Sequence, residues 1–133
     1  MAGTLVANTI NTDTGLFSTQ NAYQGIAKAW IQLSGSATSP TINGSFNISS
    51  ITRNSTGDYT FTFTTAMPNA SYSVVAGSQI NIGNTNYTYP IVFGQASAPY
   101  YQAPTASAFK VSFNGTTATF YDPQFACVAV FSS

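Results

Sequence analysis

The sequence contains no histidine and no glutamate, and cysteine occurs once, as Cys127. Charged residues make up only 5% of the 133-residue chain, against about 25% in an average soluble protein. Lys28, Arg53 and Lys110 balance Asp13, Asp58 and Asp122, so the net charge is zero. Each scarcity excludes something. Without histidine, neither a Ser-His-Asp nor a Cys-His arrangement can be assembled, and one cysteine without histidine cannot make a zinc site. A carboxylate pair for glycoside hydrolysis would have to come from Asp13, Asp58 and Asp122. Each of these lies beside Gly, Pro or a turn residue and reads as an aspartate bonding its own backbone. The aspartates and the many asparagines show no calcium-loop spacing, and no Gly-rich stretch has the form of a phosphate cradle. No enzymatic activity and no cofactor are expected.

The same scarcity bears on partners. With no basic patch, a nucleic-acid partner is not expected. No apolar run approaches the roughly 18 residues that a membrane span needs, so membrane insertion is not expected either. Met1-Ala2-Gly3-Thr4 lacks the charged start and apolar core of a secretory signal, which points to synthesis in a cytoplasm. Cys127 has no partner for an internal disulfide and lies in an apolar run, so it is expected to be a buried structural thiol. Asn-x-Ser/Thr occurs at Asn43, Asn47, Asn54, Asn69, Asn86 and Asn114, which the abundance of these residue types accounts for. Solubility must rest on Ser, Thr, Asn and Gln. That surface suits a protein inside a large assembly, because a neutral strand-rich monomer tends to associate.

What the chain does have is alternation. Tyr59, Phe61 and Phe63 point one way and Thr60, Thr62 and Thr64 the other, between Gly57-Asp58 and Pro68-Asn69. This is the period of a half-buried strand. Residues 71–76 read as its return strand, forming a hairpin with it. Residues 26–33 read as the first core strand, with Ile26, Lys28, Trp30 and Gln32 on one face and Ala27, Ala29, Ile31 and Leu33 on the other. Residues 41–52 alternate Ile42, Phe46 and Ile48 against Asn43, Ser45 and Asn47, with a turn or bulge at Asn43-Gly44. Residues 53–58 read as a polar hairpin loop. Asn114-Gly115 is a strong two-residue hairpin signal between strands 107–113 and 116–121. Residues 125–131 are apolar on both faces and read as a central strand or one in a subunit interface. No stretch has sustained helical periodicity. The fold class expected is all-β, an antiparallel β-sandwich or jelly-roll-like barrel over residues 23–133. Residues 1–22 are read as an extended N-terminal docking arm with room for one short hairpin.

Candidate functional residues are surface residues. Tyr87, Tyr89, Tyr100 and Tyr101, with Asn84 and Asn86, pair ring faces with amides, as recognition of a glycan or protein receptor requires. Packing of the same tyrosines on neighbouring loops or subunits is the competing reading. Leu5, Val6, Ile10, Leu16 and Phe17 are the apolar residues of the arm and candidates for docking. Lys28 and Trp30, sharing a face, are candidates for a subunit interface.

Three blocks carry a family resemblance. They are Ala27-Lys28-Ala29-Trp30-Ile31; Ser45 to Thr52 followed by Gly57 to Tyr72; and, more loosely, Asp122 to Phe131. Together they resemble a domain of bacteriophage tail-fibre and other virion structural proteins, with the pattern KAW…SFNVSSIT…GDYTVNFTTAMP. The resemblance implies a β-rich, non-enzymatic virion component, commonly a homotrimer. The expectation is therefore a trimeric tail-fibre or receptor-binding component that contacts other virion proteins and the host surface. The alternative is a capsid decoration (cement) protein. A glycan-degrading or carbohydrate-binding module is a more distant one.

Overall fold

The computed structural model describes residues 9–12, 15–18, 23, 25–35, 39–79, 88–92, 102–115 and 119–132. Among these residues lie ten strands. They are β1 (Thr9–Thr12), β2 (Gly15–Ser18), β3 (Ala29–Ser34), β4 (Thr41–Phe46), β5 (Ile48–Ser55), β6 (Asp58–Phe63), β7 (Ser73–Gln79), β8 (Thr88–Val92), β9 (Ala108–Gly115) and β10 (Phe125–Phe131). β4-β3-β10-β7 make one four-stranded sheet and β5-β6-β9-β8 another, all neighbours antiparallel. The two sheets pack as the expected β-sandwich. β1 and β2 pair separately as a hairpin, with Ile10 opposite Phe17 and Asn11 opposite Leu16.

The core follows from alternation. Ala29, Ile31 and Leu33 of β3 and Ala126, Val128 and Val130 of β10 point inward from the first sheet. Facing them are Tyr59, Phe61 and Phe63 of β6 and Phe109, Val111 and Phe113 of β9. Small aliphatic side chains on one sheet thus meet large rings on the other, which fills the gap of about 10 Å between packed sheets. Phe61 stacks on Phe109 at 5.1 Å, and Phe63 meets Tyr72 edge to face at 5.6 Å. Tyr72 donates its hydroxyl to the carbonyls of Thr105 and Ala108, and burial pushes its phenol pKa up to about 12.

Several expected boundaries move. The 41–52 stretch is two strands in different sheets. Asn47 breaks it with a left-handed backbone (φ 56°), a conformation that asparagine tolerates better than most residues. Its side chain secures the corner. Nδ2 donates to the Lys28 and Thr65 carbonyls, both at 3.1 Å, and Oδ1 accepts from Thr65 N at 2.7 Å. Because of this break Ile42 and Phe46 lie on an edge strand and are 43% and 55% exposed, not in the core. Asn43 is the extra residue of a bulge: Gln32 pairs with Gly44 and Leu33 with Ile42. The 53–58 loop shrinks to a turn at Thr56-Gly57, because Arg53 and Ser55 remain in register with Tyr59 and Asp58.

β7 does not form a hairpin with β6. It crosses to the other sheet and pairs with β10. Asn114-Gly115 belongs to β9, and the reversal follows it: Gly115 N donates to Thr119 O and Tyr121 N to Phe113 O. Residues 125–131 are the central strand expected, between β3 and β7. The first core strand begins at Ala29, three residues later than the alternation suggests.

Candidate functional site

The described charged groups are mostly spent on structure. Asp122 accepts from Arg53 Nε at 3.0 Å and Nη2 at 2.7 Å, from Gly57 N at 2.9 Å and from Tyr59 Oη at 2.5 Å. Burial on its own would raise the Asp122 pKa, but the hydrogen bonds from Arg53, Gly57 and Tyr59 outweigh it and hold the carboxyl below its ordinary value. Tyr59 is shifted upward, first by burial and then by its bond to Asp122. The network fastens the β5–β6 turn to the segment entering β10.

Asp58 is only 3% exposed and pairs with Lys110 Nζ at 2.9 Å, while Ser112 Oγ donates to its other oxygen at 3.2 Å. Both aspartates therefore bind partners far along the chain, not their own backbone as the sequence suggested. The turn residues beside them concealed this. Neither network presents a carboxylate to an open cleft. Among the described residues, no three His, Cys, Asp or Glu side chains cluster as a metal site would require.

The surface feature that remains is apolar. The outer side of the β4-β3-β10-β7 sheet exposes Phe46 (55%), Trp30 (44%), Val75 (61%) and Phe125 (40%). Cys127 stands among them, exposed and not buried as expected. Alternation explains the correction: Ala126 and Val128 take the inward positions, so Cys127 must face out. Opposite it on β7 stands Gly77, where an added Cβ would touch nothing within 4 Å. Trp30 lies over Gly44, whose added Cβ would sit 3.4 Å from the indole. The result is a shallow trough of about 390 Å³ between Trp30 and Val75, floored by Gly77, Cys127 and Ala129. No charged side chain lies on these strands' outward positions.

Phe46 also borders a second concavity of about 600 Å³ at one end of the sandwich, lined by Tyr23, Ile26, Lys28, Met67 and Pro68 among others. Lys28 places its ammonium 3.2 Å from the Tyr23 ring centroid and donates to the Tyr23 carbonyl. The candidate interface residues thus separate. Trp30 lies on the sheet face and Lys28 in the end cleft, with Phe46 between them.

Of the candidate receptor-contact residues, Asn84, Asn86, Tyr87, Tyr100 and Tyr101 lie outside the described residues, and Tyr89 is placed in β8 opposite Asn114. Of the arm residues, Leu5 and Val6 lie outside them, while Ile10, Leu16 and Phe17 fall in the β1–β2 hairpin. Sequence reasoning missed Phe46, Val75 and Phe125 as surface residues. Phe46 sits in an alternating run that the Asn47 corner divides between two sheets, Val75 shares the face of Ser73 on β7, and Phe125 belongs to a run apolar on both faces. Searches against family models, curated proteins and solved structures return no match to this chain.

Proposed function

We propose that this chain is a non-enzymatic structural protein of a bacteriophage particle, displayed as a homotrimer, as a tail-fibre or receptor-binding component. The observation that carries the reading is the exposed, charge-free sheet face of Trp30, Phe46, Val75 and Phe125. In a chain with 5% charged residues, such a face favours association over free diffusion. The engagement of Asp58 and Asp122 as internal struts weighs against a hydrolytic role. The tail-fibre setting itself comes from the resemblance of the Ala27–Ile31 and Ser45–Tyr72 blocks.

A capsid decoration protein is the second reading. The β1–β2 hairpin favours it, being a sheet of its own that, among the described residues, pairs with no strand of the sandwich. A lone two-stranded hairpin is marginal in water and suits a grip on neighbouring shell subunits. In both readings the Tyr and Asn residues of 84–101 are the candidate contacts outside the particle, for a host glycan or protein. Quantitative mass spectrometry of purified particles separates the two. A copy number matching the tail appendages supports the fibre, and one matching the capsid lattice supports decoration. Absence from the particle overturns both.

A further inference from the structure

Two Asn-Gly steps occur in the chain, Asn43-Gly44 and Asn114-Gly115, and the fold treats them oppositely. We propose that Asn43 is a modification site, at which the chain deamidates without an enzyme, and that the fold holds Asn114 unreactive.

The chemistry needs only two neighbouring residues and water. The backbone nitrogen of Gly44 gives up its proton and attacks Cγ of Asn43. The N–Cγ bond forms, the Cγ–Nδ2 bond breaks, and the side-chain nitrogen takes up the proton and leaves as ammonia. A five-membered succinimide ring remains. Water then opens the ring at either carbonyl. Attack at Cγ leaves an aspartate. Attack at the backbone carbonyl leaves an isoaspartate, whose chain runs on through Cβ and Cγ. Glycine favours the closure because it carries no Cβ to obstruct the ring.

The setting of β4 leaves Asn43 open to this reaction. Among the described strands β4 lies at a sheet edge and pairs with β3 alone. Asn43 is the extra residue of the bulge and stands opposite no residue of β3. A bulge interrupts the ladder and bends the strand, and a short edge segment beyond one opens locally at little cost. Asn43 is exposed, so the water that opens the ring reaches it. Its Nδ2 donates to Ser34 Oγ at 3.0 Å, a solvent-exposed bond that water replaces at small cost.

Asn114 differs at each point. It is 6% exposed and lies in β9, paired with Tyr89 of β8 and bridged to Phe120. The nitrogen that would attack is already engaged, because Gly115 N donates to Thr119 O at 2.7 Å. The Tyr121 ring packs against Gly115, where an added Cβ would lie 2.5 Å from it, so the segment is crowded as well as bonded. Reaction at Asn114 therefore waits on the opening of a strand flanked by β6 and β8.

The modification changes the molecule in two ways. It leaves a neutral chain with one net negative charge. Isoaspartate also lengthens the backbone at the bulge by one atom, so Thr41 and Ile42 lose register with Ser34 and Leu33. The edge of the sheet loosens there.

The test incubates the full chain at mildly alkaline pH, folded and in urea. Trypsin cuts after Lys28, Arg53 and Lys110, so Asn43 and Asn114 fall in different peptides. Mass spectrometry reads each conversion as a gain of about one dalton, and an isoaspartyl methyltransferase with a labelled methyl donor counts the isoaspartate. In the folded chain Asn43 should convert about tenfold faster than Asn114 or more, the factor being set by the cost of opening β9. In urea, where nothing remains to open, the two rates should converge. Asn43→Gln sets the amide one methylene further from the backbone. It should remove the acidic form seen by isoelectric focusing and leave the circular dichroism of the chain unchanged. Asn114 converting as fast as Asn43 in the folded chain overturns the proposal. So does a folded chain whose Asn43 stays intact while urea converts it, and so does an acidic form undiminished in Asn43→Gln.

Discussion

At the scale of single residues, the sandwich depends on a few positions where backbone and side chain are both fixed. Gly57 has φ 67°, and an added Cβ would sit 2.7 Å from Phe113 O and 2.8 Å from Tyr121 N. It also donates its N–H to Asp122. Gly57→Ala should therefore lower stability by about 2 kcal/mol or more, from backbone strain with steric conflict added, read by urea denaturation. Asp122 makes stability depend on pH. Its folded pKa lies below its ordinary value, so its contribution is full above the unfolded carboxylate pKa of about 3.9 and fades as pH falls through the folded value. Asp122→Asn should melt well below the unsubstituted chain at neutral pH. The difference should shrink as pH falls below the unfolded carboxylate pKa and through the lower folded one.

These residue roles were only partly legible. Asp58 and Asp122 sit among turn residues, and sequence separation hides that their partners lie 52 and 69 residues away, at Lys110 and Arg53. Tyr59, Phe61 and Phe63 were legible as one inward row because alternation is a local property and the fold had only to supply the opposite wall. Asn47 was not. Its left-handed backbone is rare for a non-glycine residue, and the hydrogen bonds that hold it come from Lys28, Thr64 and Thr65 in distant segments.

At the scale of elements, the choice of partner strand was the hidden variable. A strand followed closely by another suggests a hairpin, yet β7 leaves β6 for the opposite sheet, where β10 accepts it along seven residue pairs. The linker, 64–72, carries Met67 and Tyr72 into the core, and its spacing alone does not distinguish a hairpin from a crossover. β9 shows a related limit. Phe109, Val111 and Phe113 point into the core, but Lys110, Ser112 and Asn114 on its other face are buried too. The Asp58–Lys110 pair on that face predicts an asymmetric outcome. Lys110→Met alone leaves a buried carboxylate uncompensated and should cost about 3–5 kcal/mol, whereas Asp58→Leu with Lys110→Met should recover most of the loss. Chemical denaturation of both single variants and the double variant closes that cycle.

At the scale of the whole molecule, the low charge visible in the sequence and the apolar outer sheet visible in the structure have one physical consequence. A neutral protein with Trp30, Phe46, Val75 and Phe125 in solvent lowers its free energy by covering them. In the assembly proposed above, a neighbouring subunit of the particle supplies that cover. Cryo-electron microscopy of the intact particle tests this claim most directly. The proposed function predicts density for this chain on the particle, with the outer face of the β4-β3-β10-β7 sheet covered by a neighbouring subunit. A particle without this chain, or density in which that face remains open to solvent, would contradict it.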